Sequence, residues 1–168
     1  RAGPVQFCKG LPEELGLLTA LEVFQLTRRQ FLRGTIPTQL SNLSLLRLLD
    51  ISTCSSMTGT LPTELGKLTN LKRLILSHGR FFGTIPSELY QLKDLEKLHL
   101  TNNRFEGSLS TLLGNMRNLK ELMVSRNSLT GVLPTQMGGM TKLENLEAYH
   151  NAFNGTLPSE LAQCALKR

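Results

Sequence analysis

Asp50, Ser52, Ser77 and His78 include the residue types of a nucleophile triad. In such a triad a base takes the serine proton and a carboxylate orients the base. That chemistry also needs donors aimed at a developing oxyanion and a cavity that excludes water. His78 and His99 are the types that bind transition metals, but no third ligand stands at a fixed spacing from them. Cys8, Cys54 and Cys164 follow no zinc spacing, and three thiols are too few for a disulfide scaffold. No glycine-rich phosphate loop and no kinase signature is visible. Which of these side chains can meet is decided by the elements that carry them.

Those elements repeat. Gly34, Gly59, Gly83, Gly107, Gly131 and Gly155 recur every 24 or 25 residues, in the contexts GTIP, GTLP, GTIP, GSLS, GVLP and GTLP. Six residues beyond each glycine stands Leu40, Leu65, Leu89, Leu113, Met137 or Leu161. Two residues before each stands Leu32, Met57, Phe81, Phe105, Leu129 or Phe153. Upstream, Phe24, Leu49, Leu74, Leu98, Leu122 and Leu146 keep register with Leu26, Ile51, Leu76, Leu100, Val124 and Ala148. Apolar residues at alternate positions place one face of a short strand inward. One such unit cannot close a core, so the repeat predicts stacked units sharing one, a solenoid. Asn103, Asn127 and Asn151 follow the last strand position by three residues, where a buried amide can bond the neighbouring turn's backbone. Gly79, Cys54 and Arg29 stand at or near that place earlier in the chain, and the first two full repeats carry one extra residue there. Looser turns are therefore expected in the N-terminal half.

The unit L-x-x-L-x-L-x-x-N-x-F/L-x-G-x-I/L-P-x-x-L-x-x-L resembles the plant-type leucine-rich repeat, as in LTGVLPTQMGGMTKLENLEAYHNAFNGTLPSEL. The resemblance runs from about Gly10 to Leu161. It implies an α/β fold, a right-handed solenoid with one parallel sheet on the concave face and short helical or 3-10 return segments on the convex face. One domain is expected over 1–168: a partial repeat at 1–17, about six repeats over 18–161 and an incomplete end at 162–168. Phe7 falls on the aromatic row. The family's cysteine-paired caps are missing, so Leu161, Cys164 and Leu166 are expected to leave an apolar end, covered by more chain, a partner subunit or an unusual cap. Cys164 is expected in the core, Cys54 at the asparagine position and Cys8 exposed, with no internal disulfide because these places lie in non-adjacent repeats. Asn42-Leu-Ser44 and Asn154-Gly-Thr156 are N-glycosylation sequons, Asn42 on the convex side.

In this architecture the residues between the strand leucines face solvent: Val23, Gln25, Thr27 and Arg28; Leu48, Asp50, Ser52 and Thr53; Arg73, Ile75, Ser77 and His78; Lys97, His99, Thr101 and Asn102; Glu121, Met123, Ser125 and Arg126; Asn145, Glu147, Tyr149 and His150. Six strands about 4.8 Å apart make a strip of roughly 25 Å, which suits an extended peptide or a protein edge. Arg73, His78, Lys97 and His99 cluster in its middle, flanked by Asp50, Glu121 and Glu147, and all three histidines lie on it. An acidic or carboxylate-bearing partner, with pH-dependent docking, is the expectation. Leu48, Ile75, Met123 and Tyr149 are the apolar anchors. The triad residues fall on an open sheet, so catalysis is not expected, and neither is a cofactor.

The chain has 168 residues, net charge +6, 40% hydrophobic and 19% charged residues, which excludes a disordered polymer. Its cations are scattered without aromatic interleaving, against nucleic acid. No apolar run is long enough to span a bilayer, and no signal peptide is visible at the start. Two functions follow. One is a recognition module binding a peptide or protein on the concave face of a receptor-like or secreted protein, at the cell surface or in the secretory pathway; the sequons favour it. The other is a structural subunit of a larger complex, intracellular or organellar, with its solenoid ends covered by neighbours; the unpaired cysteines and missing caps favour that. Alanine at Arg73, Lys97 and His99 separates them, since only recognition should fail.

Overall fold

A computed structural model describes residues 10–167. The solenoid expected from the repeat is present. Six three-residue strands, β1 (Val23–Gln25), β3 (Leu48–Asp50), β5 (Arg73–Ile75), β7 (Lys97–His99), β9 (Glu121–Met123) and β11 (Asn145–Glu147), pair in parallel in that order and form the concave sheet. Their central residues, from Phe24 to Leu122, are buried, while Leu146 at the last strand is half-buried.

A second parallel sheet was not part of the repeat expectation. It joins β2 (Arg33–Gly34), β4 (Ser56–Gly59), β6 (Arg80–Gly83), β8 (Arg104–Ser108), β10 (Ser128–Gly131) and β12 (Ala152–Phe153). The row of Leu32, Met57, Phe81, Phe105 and Leu129 turns inward from it and is buried. These short strands bend away at the repeat glycines, whose φ of +76° to +97° lies where a side chain is strained.

Seven five-residue 3-10 turns return the chain along the convex side, from Glu13–Leu17 to Ser159–Gln163. Six are preceded by proline, five of these in extended conformation, such as Pro62 with φ −63° and ψ 134°. Proline suits that place because its missing N–H has no partner to lose at the start of a helical turn. Ser110 stands there instead before Thr111–Asn115, and its Oγ accepts a bond from the Leu112 N–H at 3.2 Å. Consecutive turns nearly touch: a Cβ on Gly66 would lie 2.6 Å from the Glu88 carbonyl oxygen. Tyr90 occupies the equivalent position in the next turn, buried, and a hollow lined by Tyr90, Gln91, Leu112 and Asn115 opens beside it.

The asparagine ladder forms as expected. Asn127 donates to the Leu100 and Val124 carbonyls at 3.0 Å each and accepts from the Phe105 N–H at 3.0 Å. Asn103 and Asn151 repeat the pattern. Cys54 stands in for it, its thiol 3.1 Å from the Leu26 carbonyl, and burial pushes that thiol up. The looser N-terminal turns are not observed. Their extra residue lets each turn close on itself, Leu32 N–H to the Arg29 carbonyl and Met57 N–H to the Cys54 carbonyl.

Cys54 and Cys164 are free thiols, and Cys164 packs against the core. Phe7 and Cys8 lie outside the described residues. Of the expected C-terminal apolar face, Leu161 is buried and Cys164 half-buried, whereas Leu166 and Leu157 are exposed. At the other end Leu18 is 51% exposed although its row-mates Leu43 and Leu68 are fully buried.

Candidate functional site

The parallel register lays the outward side chains of the concave sheet in two rows. One runs Val23, Leu48, Arg73, Lys97, Glu121, Asn145; the other runs Gln25, Asp50, Ile75, His99, Met123, Glu147. Glu121 ties the rows together. Its Oε1 lies 2.6 Å from Lys97 Nζ and its Oε2 lies 2.8 Å from His99 Nε2. Burial alone would raise the Glu121 carboxyl, but the bonds from Lys97 and His99 outweigh it and hold the group below the usual carboxylate range. Two of the four cationic groups expected to dominate the middle of the strip are thus already engaged. Arg73 remains exposed.

Past the strands each chain turns through a residue with positive φ: Arg28, Thr53, His78, Asn102, Arg126 and His150, at 53° to 61°. This left-handed step swings their side chains to the rim of the sheet. His78 Nδ1 accepts from Asn102 Nδ2 at 3.0 Å, and Tyr149 meets His150 edge-on with ring centres 5.3 Å apart. Between these rim residues lies a shallow depression. Ser77 and Thr101 lie low in it, His78, Arg126 and Tyr149 stand around it, and Met123 and Glu147 complete its lining. Ser77 and Ser125 are buried, and the hydroxyls of Thr101 and Ser125 are 3.2 Å apart.

Two expected site residues do not face solvent. Asp50 is only 6% exposed, because Gln25 Nε2 and the Ser52 N–H, each 3.0 Å away, hold its carboxylate. Leu48 is 7% exposed and joins the packed end of the sheet. Neither is available as a flanking charge or apolar anchor. Ile75 and Met123 are half-buried, and Tyr149 is exposed. The triad types are not assembled either: Asp50 is occupied as above and the His78 ring is bonded to Asn102. Among the described residues no group of three or more His, Cys, Asp or Glu side chains is placed to hold a metal ion. The depression itself was missed by sequence reasoning. The signal for it is Asn102, a residue type that tolerates the left-handed turn, in the register of Arg126 and His150.

A family model described as a leucine-rich repeat region matches residues 32–163. The chain belongs to the leucine-rich repeat family. The ectodomain of the plant receptor kinase GASSHO1/SCHENGEN3 from Arabidopsis thaliana, solved in complex with CASPARIAN STRIP INTEGRITY FACTOR 2, is 32% identical with a TM-score of 0.88, over 91% of this chain and 18% of that one. The PEPR1–AtPEP1 structure is 35% identical with a TM-score of 0.91, over 95% of this chain and 22% of that one. A plant ice-binding protein is 25% identical with a TM-score of 0.75, over 95% of this chain and 66% of that one. This leucine-rich repeat protein therefore spans about a fifth of each of the first two of these chains. No curated protein sequence matches it. Among its described residues no helix is long and apolar enough to cross a membrane.

Proposed function

We propose that this leucine-rich repeat chain is a recognition module that binds an extended peptide or protein edge across β5 to β11 of the concave sheet. The observation that carries the reading is the polar strip itself: a preorganised Lys97–Glu121–His99 group beside a depression walled by His78, Arg126 and Tyr149. Exposed Tyr149 supplies an apolar anchor, and Arg126 and Glu147 supply opposite charges for orientation. Similar solved structures include a plant membrane receptor kinase ectodomain in complex with a named factor and a plant peptide hormone receptor in complex with RGF2, which supports the same use here and a site at the cell surface or in the secretory pathway. The part of the GASSHO1/SCHENGEN3 receptor kinase that this chain resembles is its ectodomain, which goes with a non-catalytic use of the open sheet here. Asn42 and Asn154, both exposed, are the proposed glycan sites.

Panning a displayed library of 12-residue peptides on the purified chain tests the reading. Enriched peptides should lose at least tenfold in affinity to Tyr149→Ala, Arg126→Ala or Lys97→Ala, and nothing to Lys142→Ala on the convex side. No enrichment, or peptides indifferent to the concave variants, would refute it. A second reading rests on Leu17, Leu18 and Leu157, which are 76%, 51% and 74% exposed. Apolar residues so displayed at the solenoid ends favour packing against another repeat or subunit. Sedimentation of Leu18→Gln against the parent chain separates that role from peptide binding.

A further inference from the structure

The second sheet presents a different surface. Its inward row is the core, so residues one and three before each glycine face outward. On strands β2 to β8 these are Arg33, Ser56, Thr58, Arg80, Phe82, Arg104 and Glu106, and all but the two hydroxyl residues are exposed. Phe82, 47% exposed, lies opposite Arg104 in the strand register, and Thr58 lies opposite Arg80. Glu106 is the only acidic residue on the six strands of this sheet. Lys72, Lys97, Lys120 and Lys167 each pair with a carboxylate. Among the described residues Arg33, Arg80 and Arg104 make no ion pair.

We propose that this face docks a linear polyuronate, an acidic polysaccharide carrying one carboxylate on each sugar ring. Each guanidinium presents a planar fork that matches a carboxylate in bidentate fashion. Ser56 offers a hydroxyl partner to sugar hydroxyls, and Thr58 Oγ1, which donates to the Arg80 carbonyl at 3.2 Å, keeps its oxygen as an acceptor. The exposed Phe82 ring offers an apolar plate for the C–H face of a pyranose, a contact that a polypeptide carboxylate does not need. The four strands span about 15 Å, so the cations are spaced rather than massed. The depressions at the convex turns, the concave rim and Leu17–Leu21 are lined by other residues.

The experiment titrates the full chain with polygalacturonate, with its fully methyl-esterified form and with poly-glutamate at one fixed salt concentration. Polygalacturonate should bind, its methyl ester should not, and poly-glutamate should bind at least tenfold more weakly. Arg33→Gln/Arg80→Gln/Arg104→Gln together should weaken polygalacturonate binding at least tenfold, and Phe82→Ala about three- to tenfold. Arg117→Gln, on the convex side, should change nothing. All of these positions are exposed, so unchanged thermal unfolding establishes that each variant is folded. No binding of polygalacturonate overturns the proposal. Equal binding of poly-glutamate with no effect of Phe82→Ala overturns it in favour of an acidic protein partner. Loss with Arg117→Gln equal to that of the triple variant overturns the placement.

Discussion

Asn127 closes four backbone bonds at once. Asn127→Ala should cost about 3 kcal/mol, because buried carbonyls and an N–H lose their partners together. Urea unfolding against the parent chain checks it. Thr53 carries the opposite kind of cost. A β-branched residue at φ +58° is strained, and its side chain is exposed. Thr53→Asn should gain about 1 kcal/mol by the same measurement. Glu121 and Glu96 both titrate below the usual carboxylate range, Glu96 chiefly through its bond to Lys120. Their stabilisation is fully present above the unfolded carboxylate value and disappears as pH falls through the lowered folded values. Urea midpoints should therefore fall below about pH 4.5, and the fall should be shallower in Lys97→Gln. The ladder asparagines were legible in the sequence because their role is local and recurs. Asp50 was not, because its partner Gln25 sits one strand away and nothing in either repeat marks the pair.

The short helical or 3-10 return segments were expected from the resemblance to the plant-type leucine-rich repeat, and they form as 3-10 turns. The second sheet was not. Its strands are two to five residues long, and four of the six end at a left-handed glycine, so in sequence they read as turn residues. Tyr90 and Ser110 break two rows at once: Tyr90 replaces the small residue between turns, and Ser110 replaces the proline. The Tyr90 phenol is pushed up to about 12, mainly by burial, with the Ser110 backbone N–H pulling the other way. That contact falls short of hydrogen-bond geometry, so the hydroxyl is buried without a partner. Removing it should help. Tyr90→Phe should raise stability by about 1 kcal/mol, a rise of roughly 3 °C in thermal midpoint for a chain of this size. A drop would mean the hydroxyl is satisfied after all.

Across the whole molecule the register between repeats decides which cations are paired. Lys72, Lys97, Lys120, Lys167 and Arg47 each meet a carboxylate, whereas among the described residues Arg126 on the concave rim and Arg33, Arg80 and Arg104 on the second sheet do not. Net charge alone could not separate these, since pairing is a property of register between repeats. The expected cationic middle of the concave strip became a mixed-charge group for that reason, with Glu121 inside it rather than beside it. What the repeat pattern did convey was the subtraction: once core, ladder and turn residues are set aside, the remaining side chains of the strands are those of the proposed site. The most direct measurement is amide chemical-shift mapping of the chain with a peptide enriched from the library. Perturbations should concentrate on β5 to β11 and on the His78, Asn102 and Arg126 turns. Perturbations confined to the convex turns or the solenoid ends would contradict recognition on the concave face.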